Sequence, residues 1–153
     1  MKSVSVDVPG SFFTQALVEV VSKTSGFSLD VLSEERDDSF EEYVAAMSLN
    51  SLKGGIIFIS VGEAGLRTLC SYIEGTPEEN ISRADLEDVL CELLNMTAGN
   101  AKLYLNDTEF MYSLSTPVVI NGENLSISTK KRANVISRTL GNGEIIVRLK
   151  VVY

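Results

Sequence analysis

Three polar residues, Asp88, Glu92 and Asn95, are spaced by four and then three positions in a stretch that is otherwise mostly apolar. On an α-helix this spacing brings side chains onto one face, with about 5–6 Å between neighbouring Cβ atoms. Gly99, four residues further on, continues the same line. We call these four residues the polar ridge. A carboxylate and a carboxamide on one exposed helical face form the candidate chemical site of the chain.

The sequence around the ridge predicts a long helix over residues 83–104. Ser82 and Asp85 resemble a capping box, with Asp in place of the usual Glu or Gln. An apolar stripe predicts the buried side of this helix and turns the ridge toward solvent or a partner: Leu86, Val89, Leu90, Leu93, Leu94 and Ala101. Glycine inside a helix costs about 1 kcal/mol relative to alanine. Gly99 therefore suggests that a partner chain or a neighbouring helix approaches the backbone closely.

The residues alone also allow a plainer interpretation of the ridge. Charged helical faces are ordinary, so Asp88 and Glu92 could be a solvated surface, with Asn95 an incidental polar residue beside them.

The chain has no histidine, which excludes the HExxH metalloprotease motif, the Ser-His-Asp triad and the usual zinc sites. Neither a GxxxxGK[ST] loop nor a GxGxxG fingerprint is present, so a nucleotide enzyme is disfavoured.

Charge and cysteine content restrict the partners and the compartment. The net charge of −8 and the pI near 4.5 argue against nucleic-acid binding. Lys130, Lys131 and Arg132 form the one basic cluster, which we interpret as solvated surface. Cys70 and Cys91 are interpreted as buried thiols in a reducing compartment. Without a signal peptide or a membrane-length apolar run, we expect a soluble, cytoplasmic protein that does not bind membranes.

The order of predicted elements favours an α+β fold in one domain, residues 1–153, with helices packed on a mostly antiparallel sheet. Besides the long helix, helices are predicted at 11–24 and 63–74. Strand composition is found near 27–33, 41–50, 54–61, 109–115, 117–121, 124–129, 132–140 and 144–152. Asn121-Gly122 and Asn142-Gly143 predict tight turns. A helix followed by strands occurs twice, in residues 11–60 and 83–152, which suggests a loose internal duplication.

The ridge residues also fit a known pattern. Asp88, Glu92 and Asn95 match the signature of the CheC/CheX/FliY phosphatases of bacterial chemotaxis, in which Asp or Ser is followed by Glu and then Asn. That signature ends in a proline, and here twenty-one residues separate Asn95 from Pro117. The similar region covers about residues 82–128 and includes the run from Asn95 to Gly99. The chain thus resembles this family over its long helix and the strand that follows.

The resemblance implies a protein phosphatase that acts on the aspartyl phosphate of a CheY-like response regulator. Asn95 would orient the attacking water, and Glu92 would pair with the active-site lysine of the regulator. Asp88 and Gly99 would contact the partner. The regulator would supply its own Mg²⁺, so that the phosphatase needs no cofactor or metal of its own. The negative net charge would suit a lysine-rich partner surface.

The number of motif copies favours the CheX type. CheC and FliY members usually carry two copies, whereas Gln15, Glu19 and Ser22 of this chain lack the second asparagine and are interpreted as an inactive copy or plain surface. CheX-like relatives imply a homodimer with a sheet continued between subunits, and the apolar strand 145–152 is predicted to be the edge that pairs. The alternative function is a non-catalytic module that binds a response regulator or a flagellar switch partner. A third possibility is an unrelated interaction or structural dimer.

Overall fold

The computed structural model describes residues 5, 7–129 and 134–153. The basic cluster of Lys130, Lys131 and Arg132 lies outside the described residues, so its interpretation as solvated surface stays a prediction.

Three α-helices form one layer: α1, Asp7–Ser25; α2, Glu63–Glu74; and α3, Arg83–Leu105. A short 3-10 turn, Glu78–Asn80, lies between α2 and α3. Helix α1 begins four residues earlier than predicted because Pro9 lies in its first turn, where a missing N–H removes no helical hydrogen bond. Helix α2 ends at Gly75, whose φ of 68° is the left-handed cap that glycine adopts readily.

Six strands form one antiparallel sheet: β1, Asp30–Ser33; β2, Tyr43–Ser48; β3, Ile56–Val61; β4, Val118–Asn121; β5, Val135–Gly141; and β6, Ile146–Val152. Their order is β1-β5-β6-β3-β2-β4. The predicted α+β fold, with helices on an antiparallel sheet, is confirmed.

The C-terminal strand does not lie at an edge, so the prediction for residues 145–152 is wrong. Strand β6 pairs with β3 on one side and with β5 on the other. Its side chains explain this position, because Val147, Leu149 and Val151 are buried on one face and Lys150 is buried on the other. A strand that is covered on both faces belongs in the middle of a sheet. The edges of the sheet are β1 and β4.

The sheet order contains a two-fold pattern. Exchanging β1 with β4, β2 with β5 and β3 with β6 reverses the order and preserves every neighbouring pair. Each half is one long helix followed by three strands, and α1 packs against α3. The internal duplication expected from the sequence is therefore present in the topology. Among the described residues, α2 has no counterpart in this pattern.

Two of the predicted strands are absent as strands. Residues 109–115 contribute one isolated bridge, Asn50 to Ser113, and residues 124–129 contribute another, Ser39 to Ser126. In the first segment Phe110 and Tyr112 have strand-like composition but are buried, Phe110 against the Tyr153 ring and Tyr112 against the Phe13 ring of α1. The tight turn at Asn142-Gly143 does occur and joins β5 to β6, with Gly143 at a φ of 91°. The turn predicted at Asn121-Gly122 is wrong in position: the Gly122 N–H donates to the Glu42 carbonyl and extends the pairing of β4 with β2, and the chain bends at residues 123–124, where Asn124 has a φ of 55°.

The sheet is covered on both faces. The main hydrophobic core lies between the helices and the sheet. On the opposite face, the segment 34–42 crosses the strands, and its Phe40 ring packs 5.3 Å from the Phe58 ring. The Lys150 ammonium donates a hydrogen bond to the Ser39 carbonyl and lies 4.3 Å from the centre of the Phe40 ring. Arg148 pairs with Asp37 at 2.5 Å and with Glu41 at 3.0 Å. Within the described part of the chain, no helix has the length and apolar character needed to cross a bilayer.

Candidate functional site

Helix α3 carries the polar ridge, and its start is fixed by the predicted capping box. The Ser82 side chain accepts a hydrogen bond from the Asp85 backbone N–H, and the Asp85 carboxylate accepts one from the Ser82 N–H. These bonds hold the pKa of Asp85 below its usual value. Aspartate therefore fulfils the role that Glu or Gln usually has, and the first turn of α3 has a defined direction.

The ridge faces outward as predicted. Asp88 and Glu92 are exposed, whereas Asn95 and Gly99 are partly exposed. The buried side of the helix includes Leu86, Leu90, Leu93, Leu94, Thr97, Ala98 and Ala101. Because the buried residues occupy the opposite face, the ridge is presented to the surroundings over three helical turns.

Two contacts hold the middle of α3 against the rest of the fold. Glu87 accepts a hydrogen bond of 2.8 Å from the Asn121 amide of β4 and pairs with Arg83 at 3.2 Å. The buried Tyr112 hydroxyl donates to the Ala98 carbonyl at 2.5 Å, and burial raises the pKa of this phenol. Both contacts leave the ridge uncovered. The helix is thus held against the rest of the fold on both sides of Asn95, so the ridge residues keep a fixed position on the surface.

Within the described residues, the functional groups of Glu92 and Asn95 make no hydrogen bond or ion pair. An exposed side chain satisfies its polar atoms with water, so both groups can exchange water for a partner without breaking an internal contact. The site therefore consists of one carboxylate and one carboxamide that α3 holds in place and that form no hydrogen bond or ion pair with the described residues.

Gly99 has open space around it. A Cβ atom built on Gly99 meets no heavy atom within 4 Å among the described residues, apart from the backbone of its own helix. The expected close approach of a neighbouring helix is therefore not found among the residues that the structure describes. A partner chain remains the predicted reason for glycine at this position.

A groove of about 310 Å³ lies beside the ridge, between the C-terminal ends of α1 and α2 and the first half of α3. It is lined by Thr24, Ile73, Glu74, Asp88, Val89, Glu92, Leu93 and Met96. Glu92 and Asp88 therefore belong both to the ridge and to this groove. The sequence predicts these two carboxylates as site residues but not the contributions of α1 and α2, because residues so distant in the chain are brought together only by the packing of the helices.

The two cysteines take no part in a reactive centre. Burial raises the pKa of the Cys70 thiol to about 12, with Glu74 adding to the effect. Cys91 is partly buried. Burial is the main cause that raises the pKa of its thiol, and the charge of Asp88 is the second. Both thiols are protonated at neutral pH and poorly nucleophilic. No group of three or more His, Cys, Asp or Glu side chains in the described ranges could hold a metal ion.

The candidate second copy of the motif differs in its contacts. Gln15 donates a hydrogen bond of 3.0 Å to the Glu19 carboxylate on α1, and Ser22 is exposed further along the helix. Glu19 is thus engaged by its own helix, whereas Glu92 is not. The interpretation of Glu19 and Ser22 as an inactive copy or plain surface stays a prediction.

Solved structures of chemotaxis proteins share this fold. A CheC-like superfamily protein from Shewanella sp. PV-4 superimposes with a TM-score of 0.83 and 20% identity, covering 97% of this chain and 98% of its own. The chemotaxis protein CheX from Vibrio vulnificus gives a TM-score of 0.79 and 19% identity, covering 92% and 93%. CheX from Borrelia burgdorferi, solved as a CheX–CheY–BeF3–Mg²⁺ complex, gives 0.74 and 17%, covering 93% and 96%. The fold is that of the CheC-like and CheX-like chemotaxis proteins.

The sequence itself gives the particular family. A family model described as "Chemotaxis phosphatase CheX" matches residues 43–140, which is more than half of the chain and includes all of α3. The chain belongs to the CheX family. The search of curated proteins finds no match.

Proposed function

We propose that this chain hydrolyses the aspartyl phosphate of a CheY-like response regulator, with Asn95 orienting the attacking water and Glu92 pairing with the active-site lysine of the regulator. The observation that carries the proposal is the polar ridge, on which Glu92 and Asn95 project without internal partners from a helix of a CheX-family chain. The Borrelia relative was solved together with CheY, which supports a partner of this kind.

Asn95 suits a water-orienting role for two reasons. Its carboxamide has both a donor and an acceptor, so it can fix a water molecule in line with the phosphorus atom. It is also uncharged, and therefore does not repel the phosphoryl oxygens. Phosphoryl transfer depends mainly on positioning and electrostatic stabilisation, and a glutamine orients the water in GTPases in a comparable way. The fixed position of α3 supports such positioning.

Glu92 suits the role of an anchor. It is one turn from Asn95, and a charge-assisted hydrogen bond to a lysine would set how deeply the helix enters the partner. Asp88 and Gly99 would form the remainder of the contact, Asp88 by its charge and Gly99 by allowing a close approach to the backbone. In this proposal the regulator supplies Mg²⁺ and the phosphorylated aspartate, the phosphatase needs no cofactor of its own, and both proteins work in the cytoplasm.

The proposal includes a homodimer. Since β6 is central, β1 and β4 are the strands with unpaired edges in the described part of the sheet. Strand β4 also exposes Val118 and Ile120. An apolar edge strand of this kind favours pairing with a second chain. Light scattering should give twice the mass of the 16.7 kDa chain, and a mass of one chain would contradict the dimer.

The decisive experiment measures the loss of phosphate from a phosphorylated CheY-like regulator, alone and with the wild-type protein or its Asn95→Ala variant. We expect the wild type to accelerate the loss and the variant to be slower by about 100-fold, comparable to losing one group that stabilises a transition state. The variant should still bind the regulator, because Glu92 remains.

Thermal unfolding serves as the control for this experiment. The Asn95 side chain makes no hydrogen bond or ion pair with the described residues, so the variant should unfold at the temperature of the wild type or slightly above it. If the wild type binds the regulator but does not accelerate the loss of phosphate, the catalytic proposal fails and the chain is a binding module. Activity of Asn95→Ala equal to wild type would remove Asn95 from the mechanism.

A further inference from the structure

We infer that the groove beside Glu92 receives a long basic side chain, lysine or arginine, from the response regulator at a second point of contact next to the phosphorylated site. The inference rests on the proposed function and extends it, because it states what the partner must present beside the lysine that Glu92 binds.

The groove combines an apolar floor with an acidic rim. Ile73, Val89, Leu93 and Met96 supply the apolar surface. Glu74, Asp88 and Glu92 supply three carboxylates from two helices. The lining contains no lysine or arginine within the described residues, so the negative charge is not neutralised inside the groove.

A lysine or arginine side chain matches both parts of this surface. Its aliphatic stem can lie along apolar side chains while its charged end stays near the carboxylates and water. A purely apolar occupant would cover the floor but would remove water from carboxylates without supplying a cation, which is unfavourable. An anionic occupant, whether an acidic peptide or a lipid headgroup, would be repelled by the rim.

The position of the groove is specific to one end of the helix pair. Helix α2 has no counterpart in the two-fold pattern, and its Ile73 and Glu74 form one wall beside Glu92. At the opposite end of the pair, the Phe12 ring stacks on the Tyr104 ring with centroids 4.9 Å apart, which closes the helices against each other. The open groove is therefore continuous with the ridge and with the residues that we propose to contact the regulator.

Reversal of the charge of Glu74 tests the inference, since Glu74 lines the groove but lies outside the ridge. Glu74→Lys should raise the dissociation constant for a beryllofluoride-activated regulator about tenfold, equivalent to about 1.4 kcal/mol. The kcat at saturating regulator should stay unchanged, because Asn95 is not altered. Glu35→Lys changes the net charge equally, in an exposed segment on the opposite side of the sheet, and should change the dissociation constant less than twofold. Equal effects of the two variants would overturn the inference.

Glu74 also contacts the Cys70 thiol, so Glu74→Lys could disturb the fold as well as the groove. A second variant therefore fills the groove by a substitution on another helix. Thr24→Lys places a cation at the C-terminal end of α1, where it should stabilise the helix and occupy the acidic rim. It should weaken regulator binding at least as much as Glu74→Lys. Ser22→Lys, exposed on the same helix, is the matched control. Normal binding by a stably folded Thr24→Lys would contradict the inference.

The outcome separates this inference from the proposed function. If the wild type neither binds nor dephosphorylates the regulator, the proposed function fails and the groove loses its occupant. If the wild type dephosphorylates it while Glu74→Lys behaves like Glu35→Lys, the phosphatase proposal stands and only the second point of contact is wrong.

Discussion

At the residue scale, Glu92 and Asn95 are adjacent on one helix but should fail in different ways when changed. Glu92→Gln keeps the size of the side chain and removes its charge. If Glu92 anchors a lysine, the KM for the phosphorylated regulator should rise about tenfold while kcat stays near the wild-type value, because binding is lost and the water is still oriented. Steady-state kinetics with varied regulator concentration measures both constants.

Glu79→Gln is the matched control for this prediction, since Glu79 is an exposed glutamate in the short turn before α3. It removes the same charge and should leave both constants unchanged. A fall in kcat with an unchanged KM in Glu92→Gln would show that Glu92 acts in the chemical step and not as an anchor.

Sequence patterns were sufficient for the ridge because every member lies on one continuous helix. Spacing alone placed Glu92 and Asn95 on the exposed face, and the exposure of α3 agrees. The sequence does not predict Thr24 and Ile73 as groove residues, because neither belongs to a motif or carries a charge. Their role depends on where α1 and α2 end relative to α3, which local periodicity does not encode.

At the scale of elements, Gly99 in α3 should lower the stability of the protein while favouring binding of the regulator. Because an added Cβ meets no described neighbour within 4 Å, Gly99→Ala should stabilise the protein by about 0.5–1 kcal/mol through helix propensity. If a partner approaches the backbone at this point, the same methyl group should weaken regulator binding. Chemical denaturation and a binding titration of one preparation test both halves.

Asn100→Ala is the comparison for that prediction. It also improves helix propensity, one residue along the helix and off the ridge. It should stabilise α3 without weakening the regulator complex. Unchanged binding by Gly99→Ala would mean that the glycine has no role in the contact.

The strands were predicted less accurately than the helices, again for a physical reason. Helices α2 and α3 were predicted closely because their caps, Gly75 and Ser82, are local signals. Residues 109–115 have strand composition, yet Tyr112 uses its hydroxyl to bind α3 and the segment pairs at one bridge only. Strand composition reports a half-buried extended segment, and pairing depends on neighbours that are distant in sequence.

At the scale of the whole molecule, a buried lysine links the stability of the fold to pH. Lys150 is 2% exposed, and burial lowers the pKa of its ammonium from 10.5 to about 8. The charge of Arg148 lowers this pKa further, whereas the charges of Asp37 and Asp38 raise it in part. Between pH 8 and 10.5 the unfolded chain therefore binds more protons than the folded one at this residue. The contribution of Lys150 to the free energy of unfolding should thus increase as pH rises through this range.

A comparison with Lys150→Met measures that contribution, because the titration of other groups is common to both proteins. The difference in unfolding free energy, wild type minus variant, should become more favourable to the wild type from pH 8 to pH 10.5. A difference that stays constant with pH would show that Lys150 keeps an ordinary pKa in the folded protein.

The central place of β6 also has a consequence for how the chain is made. Strand β3 ends at Val61, but the strand that fills the space beside it begins only at Ile146. A ribosome releases β3 long before β6, so one side of β3 lacks its hydrogen-bonding partner while the intervening residues are synthesised. Unpaired strand edges associate with other chains. The nascent protein therefore presents an unpaired edge of β3 to other chains until β6 has emerged from the ribosome.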